Sequence, residues 1–331
     1  MTTAMTRREL LHGALALLGG ATTAASAPAS DRPPRRLKGL YLSYYGVADR
    51  TIRSRVLGLL DRTELNTVVI DVKGDRGFIP YESEVPLARR AGAMGPVRVP
   101  DFDDLLAGLK AKGIHTVARV VAFKDDVLAR HRPEWAVADT TTGSLWLDNE
   151  RLAWIDPFQE QAWAYPIAVA REAALRGFDE IQFDYLRFPS DGRLKAARYA
   201  KASTVESRVQ AVSLFLQRAR LALTPPGAAL AVDVFGYTAF NPDDTGIGHR
   251  IEDLAPLVDV LCPMAYPSAY HVGIPGVRNA VAHPYEIVLE TVKRIRGRVG
   301  PAPVQVRPWI QDFRDYAFDR RAFGVPEIRA Q

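Results

Sequence analysis

Seven apolar, strand-like runs separated by amphipathic stretches constrain this chain more than any other feature of its sequence. The runs are Gly39–Tyr45, Thr67–Lys73, Thr116–Ala122, Glu180–Tyr185, Ala229–Phe235, Val258–Ala265 and Val304–Ile310. Most are rich in β-branched or aromatic residues and nearly continuous in apolarity, which is the pattern of strands covered on both faces. Between them, Thr51–Arg62, Phe102–Lys112, Phe158–Arg176, Val205–Leu223 and Tyr285–Arg296 carry apolar residues at helical spacing. Asp156 before Pro157 has the form of a helix N-cap, and Gly113 and Gly177 fall where helices stop. Strand and helix alternating in one direction call for a parallel sheet with helical crossovers. A doubly wound open sheet normally places a glycine-rich phosphate turn after its first strand. Here that position holds Ser43-Tyr44-Tyr45-Gly46. The expected fold is therefore α/β, a (β/α)8-type TIM barrel. The chain runs out at Glu327–Gln331, in what looks like the helix after the seventh strand. The barrel is expected to lack its last strand and helix.

At 331 residues the chain suits one large domain or two small ones. With 47% hydrophobic and 24% charged residues it has the balance of an ordinary globular protein with a sizeable core. The formal net charge of +5 is spread along the chain, without a Lys/Arg run of the kind that binds nucleic acid, so no nucleic-acid partner is expected. Cys262 is the sole cysteine, which rules out an intramolecular disulfide; in its apolar run it serves as a small buried hydrophobe.

Residues 1–27 have the organisation of an export signal. Arg7 and Arg8 precede the apolar run Leu10–Leu18, and a small-residue stretch ends in Ala25-Ser26-Ala27. Paired arginines before a modest apolar run resemble a twin-arginine signal. The run is too short to span a membrane easily. The expected product is exported to the periplasm or the cell exterior by the twin-arginine machinery, with no stable membrane span after processing. Residues 28–36 form a candidate linker, and residues 37–331 a barrel catalytic domain, C-terminally incomplete.

Aspartates near the ends of the strand candidates carry the chemistry. Asp71 lies in Val68–Lys73, Asp184 in Ile181–Tyr185 and Asp233 in Ala231–Phe235; Asp312 follows Trp309 beyond the seventh run. A buried carboxylate is costly to desolvate and is rarely placed in a strand without a partner or a task. In barrels the C-terminal strand ends form the floor of the active site. Asp184 and Asp233 fall on neighbouring strands, four and five. Two carboxylates flanking one bond are what glycoside hydrolysis uses, one ionised and one holding a proton, and mutual proximity with burial drives their pKa values apart. Lys73, Arg119, Lys124 and Arg187 lie at the same ends, and Arg187, three residues past Asp184, is placed to hold it ionised. Tyr44, Tyr45, Trp135, Trp146, Trp154, Tyr237, Tyr266 and Trp309 recur after the strands, where aromatic rings can pack on sugar faces. Substrate contacts are expected from Asp71, Lys73, Arg119, Arg187, Tyr266, Trp309 and Asp312. The six histidines lack metal-site spacing, so neither metal nor cofactor is expected. A non-catalytic carbohydrate-binding barrel is the alternative to an enzyme.

The run Gly177–Gly192, reading GFDEIQFDYLRFPSDG, resembles the bacterial family of putative glycosyl hydrolase domains, formerly of unknown function. Asn66–Lys73, Arg119–Asp125, Ala153–Pro157, Asp233–Gly236, Pro263–Ser268, Asn279–Tyr285 and Val306–Phe313 match it as well, so the resemblance covers about residues 37–331. It implies a barrel related to the α-amylase-like glycosidases, with the nucleophile after strand four and the acid/base after strand five. Carried onto this chain, those roles fall to Asp184 and Asp233. It implies a retaining glycosidase with a carbohydrate substrate. The family pattern continues past the strand-seven helix into a final strand, whereas this sequence stops at Gln331.

Overall fold

The computed structural model describes residues 36–331. The export signal expected over 1–27, and all of the linker except Arg36, lie outside the described residues. Residues 37–331 form one compact unit.

Seven parallel strands build one sheet whose spatial order is the chain order. They are β1 (Gly39–Leu42), β2 (Thr67–Lys73), β3 (His115–Val121), β4 (Glu180–Asp184), β5 (Ala229–Phe235), β6 (Val260–Met264) and β7 (Gln305–Val306). The main crossover helices are α1 (Arg50–Arg62), α2 (Phe102–Ala111), α3 (Ala164–Arg176), α4 (Val205–Leu223) and α5 (Pro284–Val299). This is the expected (β/α)8-type barrel with seven strands among the described residues, open between β7 and β1. Two contacts measure the curl. Arg307, one residue past β7, bonds Glu180 of β4. Three strand spacings would hold a flat β4 and β7 about 14 Å apart, so the sheet must bend for one side chain to bridge them. Across the opening, the rings of Tyr41 and Trp309 meet edge to face at 5.8 Å.

Alternation along each strand sorts the residues into two faces. Val68, Ile70, Val72, Val120, Phe183 and Val232 point outward into the main core beneath the helices. Val69, Asp71, Arg119, Glu180, Gln182, Asp184, Ala231, Asp233 and Cys262 belong to the inward face. Cys262 packs with Ala231, Val260 and Trp309, and burial pushes its thiol above the usual range. Glu180 marks the bottom of this interior. Burial would raise its carboxyl, but pairing with His115 at 3.3 Å and with Arg307 holds it below the ordinary value.

Three local expectations need correction. β1 ends at Leu42 and not at Tyr45, because the Ser43 hydroxyl accepts from Gly46 N and caps a short helix, Tyr44–Ala48. β7 has two residues, flanked by Pro303 and Pro308, which have no N–H to give a ladder; Trp309 adds a single bridge to Met264. Asp156 does not cap α3, which begins at Ala164 after a 3-10 turn. Its buried carboxylate instead accepts from Phe158 N at 2.9 Å and Ala200 N at 2.6 Å, joining two loops at the barrel mouth. Gly177 does end α3, in a left-handed conformation (φ 105°) that suits a residue without Cβ. Among the described residues no helix is long and apolar enough to cross a membrane.

Candidate active site

The inward face of β2, β3 and β4 converges on Arg119. In register, Asp71 sits beside Arg119, and Arg119 beside Gln182. The buried guanidinium binds three carboxylates: Nη1 donates to Asp71 Oδ1 at 2.7 Å, Nη2 to Asp75 Oδ1 at 3.0 Å, and Nε and Nη2 to Asp184 Oδ2 at 3.0 and 2.6 Å. Asp71 also accepts from the Tyr41 hydroxyl at 2.8 Å and from Tyr44 N at 3.0 Å. Burial raises the Asp71 carboxyl despite the attraction of Arg119. The other oxygen of Asp184 accepts from Tyr185 N at 2.6 Å. Tyr185 has φ 47°, an uncommon conformation for a non-glycine residue, immediately after that carboxylate. Backbone bonds from Ala122 N and Phe123 N to the carbonyls of Asp184 and Tyr185 hold the strained turn.

Asp233 lies beside this group in a different environment. Phe183 and Val232 are cross-strand partners, so Asp184 and Asp233 are the next step along two adjacent parallel strands. Trp309 Nε1 donates to Asp233 Oδ1 at 2.7 Å. Burial, followed by the charge of Asp184, pushes Asp233 well above the carboxylate range. Burial and then the charges of Asp233 and Asp184 also raise the Tyr266 hydroxyl, which puts it within the field of the pair. A cavity of about 180 Å³ opens at the Asp71 and Asp75 side of this network, with Tyr41, Tyr45, Phe78 and Glu150 also in its wall; Asp184 and Asp233 lie behind that wall.

Of the residues expected to form the site, Asp71, Arg119, Asp184, Asp233, Tyr266 and Trp309 come together. Lys73 does not. A bulge between Asp71 and Lys73 reverses its face, and its ammonium lies fully buried between Val121 O (2.6 Å), Asp125 (2.8 Å) and the Tyr165 ring. Asp312 is exposed, six residues past β7. Arg187 is not the ion-pair partner of Asp184; Arg119 is. Trp146 and Trp154 are each 1% exposed and belong to the core, so they offer no sugar platform. The sequence reading missed Tyr41 and Asp75. Tyr41 alternates with Leu40 and Leu42, a period-two signal that assigns it to the inward face. Asp75 follows β2 in a loop, and nothing in the sequence marks it.

The model of the family described as "putative glycosyl hydrolase domain" matches residues 39–331. The chain belongs to that family. This glycosyl hydrolase domain is thereby placed among glycan-cleaving enzymes. It is 38% identical to a hypothetical protein from Ruminiclostridium thermocellum ATCC 27405 (TM-score 0.52), over 59% of this chain and 97% of that one. It resembles the PgaB (BpsB) glycoside hydrolase domain from Bordetella bronchiseptica at 14% identity, TM-score 0.59, over 84% of each chain. The α-galactosidase TtGalA from Thermus thermophilus gives 18% identity and TM-score 0.52, over 89% of this domain and 56% of that enzyme. At such identities the last two likenesses concern the fold. None of the curated proteins searched matches the domain.

Proposed function

We propose that this domain hydrolyses a polysaccharide or cell-envelope glycan with retention of configuration, using Asp184 as nucleophile and Asp233 as acid/base. The observation that carries the reading is the unequal treatment of two neighbouring carboxylates. Arg119 holds a charge against Asp184, whereas burial and the Asp184 charge favour the protonated form of Asp233. In the first step the Asp184 carboxylate bonds to the anomeric carbon while the glycosidic C–O bond breaks, and the leaving oxygen takes the Asp233 proton. In the second, Asp233 takes a proton from water, whose oxygen attacks the anomeric carbon and releases Asp184. Asp71, Tyr266 and Trp309 border the reacting sugar. Asp312, exposed beyond β7, is left for the outer part of a long glycan. The stereochemical outcome is tested by NMR on fresh product: the anomer of the substrate appears first in a retaining enzyme, and its inverse would reject the nucleophile role.

Protonation of Asp233 sets the high-pH limb of the rate profile. Rate falls as pH rises through its raised pKa, because the acid is then lost. The Trp309 hydrogen bond favours the ionised form and so lowers that pKa. Trp309→Phe is therefore expected to move the high-pH limb of kcat/KM upward. A limb that stays in place or moves down would remove Asp233 from the acid role.

Residues 1–27 support export through the twin-arginine route to the periplasm or beyond, where such glycans lie. Replacing Arg7 and Arg8 together by Lys is expected to trap the full-length chain in the cytoplasm; unimpaired export of that variant would reject the route.

A further inference from the structure

Four cationic side chains are buried among the described residues: Lys73, Arg119, Lys124 and Arg187. Three have carboxylate partners. Lys73 pairs with Asp125, Arg119 with Asp71, Asp75 and Asp184, and Lys124 with Glu150 at 2.7 Å and Asp148 at 3.6 Å. Arg187 has none within salt-bridge distance, although it is only 5% exposed. A buried cation without a counter-ion costs several kcal/mol by desolvation, so its retention calls for an account.

The guanidinium is used on one side only. Nη1 donates to Phe188 O at 3.0 Å and Ser190 Oγ at 3.2 Å. Nε is sealed from solvent without a partner, and Nη2 has no protein acceptor yet keeps contact with solvent. Nη2 is therefore the donor left to an incoming acceptor, and a carboxylate oxygen there would also neutralise the charge. Three rings fix the plane: Trp154, Tyr185 and Phe235, with centroids at 5.0, 4.8 and 4.6 Å. Tyr185 directly follows Asp184, and Phe235 stands two residues past Asp233 on the same side of β5. Tyr185 and Phe235 flank the strand ends that carry Asp184 and Asp233, so the guanidinium between them sits close to the two reacting carboxylates.

We propose that Arg187 is a specificity-determining residue that receives the carboxylate of an acidic sugar, a uronic acid at or next to the cleavage point. The missing counter-ion comes with the substrate. The inference rests on reading this cleft as a glycan site, but it concerns binding and needs no turnover. A neutral glycan leaves the buried cation unpaired, so the site selects for acidic chains by what it withholds from neutral ones as well as by the bond it offers.

The test is calorimetric titration of the domain in an Asp184→Asn background, which prevents consumption of the probe. The probes are oligosaccharides containing glucuronate, galacturonate or mannuronate, each paired with its carboxyl-reduced form. At least one acidic probe is expected to bind tenfold or more tightly than its reduced partner. Arg187→Gln should erase that preference. Should the Gln variant not fold, Arg187→Met removes the charge while keeping the apolar stem between the rings and should lose the preference as well. The proposal is overturned if no acidic probe exceeds its reduced partner, or if the preference survives in the variant that folds. Failure to cleave any glycan would sink the hydrolase reading and leave this result standing; cleavage without acid preference would do the reverse.

Discussion

Asp184→Asn is expected to lower kcat on any glycan that the wild-type domain cleaves by about four orders of magnitude, the scale on which losing the proposed nucleophile would be felt. The amide keeps the shape of the carboxylate, and Arg119 keeps Asp71 and Asp75 as partners. The fold is therefore expected to survive, as judged by circular dichroism and melting. Loss of activity with loss of structure would be uninformative about chemistry, which is why the amide and not alanine is the variant of choice. Turnover equal to that of the wild type would remove Asp184 from the mechanism.

Arg119→Met has the largest expected effect on stability. The methionine fills part of the volume but leaves Asp71, Asp75 and Asp184 with no counter-ion. Removing one member of a buried ion network costs about 3–5 kcal/mol at neutral pH. The pH dependence has a definite sign. The Asp71 carboxyl is already raised by burial against the pull of Arg119, so removing the arginine raises it further. A carboxyl whose folded pKa exceeds its unfolded value favours folding as pH falls, because the native state then takes up the proton. The deficit of the variant should thus shrink from neutral pH down toward about pH 4, the unfolded carboxylate value. Activity is expected to fall as well, because the guanidinium that positions Asp184 is gone. Urea denaturation at several pH values measures the first effect; a deficit that grows on acidification would show that Arg119 does not serve these carboxylates.

The number, order and direction of the barrel strands were legible because strands covered on both faces must be apolar nearly throughout; the two-residue strands Ala138–Asp139 and Ala197–Arg198, which pair antiparallel outside the barrel sheet, were not. The pair Asp184 and Asp233 was legible for a related reason, since a carboxylate in such a run stands out. What failed were features that depend on a single local event. The bulge after Asp71 turns Lys73 to the outer face, and no residue there announces it. Arg187 was paired with Asp184 because it is near in sequence, but register across strands brings Arg119 to that oxygen from 65 residues away. The apolar Tyr44 and Tyr45 prolonged the expected first strand, where one hydroxyl, that of Ser43, starts a helix. Asp75 and Asp312 show the same limit from two sides: both are loop aspartates near strand ends, and only the path of the loop decides that one meets Arg119 and the other faces solvent.

Trp309 has two attachments, one to Tyr41 across the opening between β7 and β1 and one to Asp233 within the site. Thermodynamic reciprocity joins them. If the closed seam favours the ionised acid through the indole N–H, then ionising the acid must favour the closed seam by the same free energy. In the proposed mechanism Asp233 is protonated before the first step and ionised once it has protonated the leaving group. On that scheme the barrel edge would be held least firmly when substrate enters and most firmly while the covalent glycosyl intermediate exists, and it would relax again when water has returned the proton. An opening in the wall would thus act as a latch timed by the proton that the proposed chemistry moves.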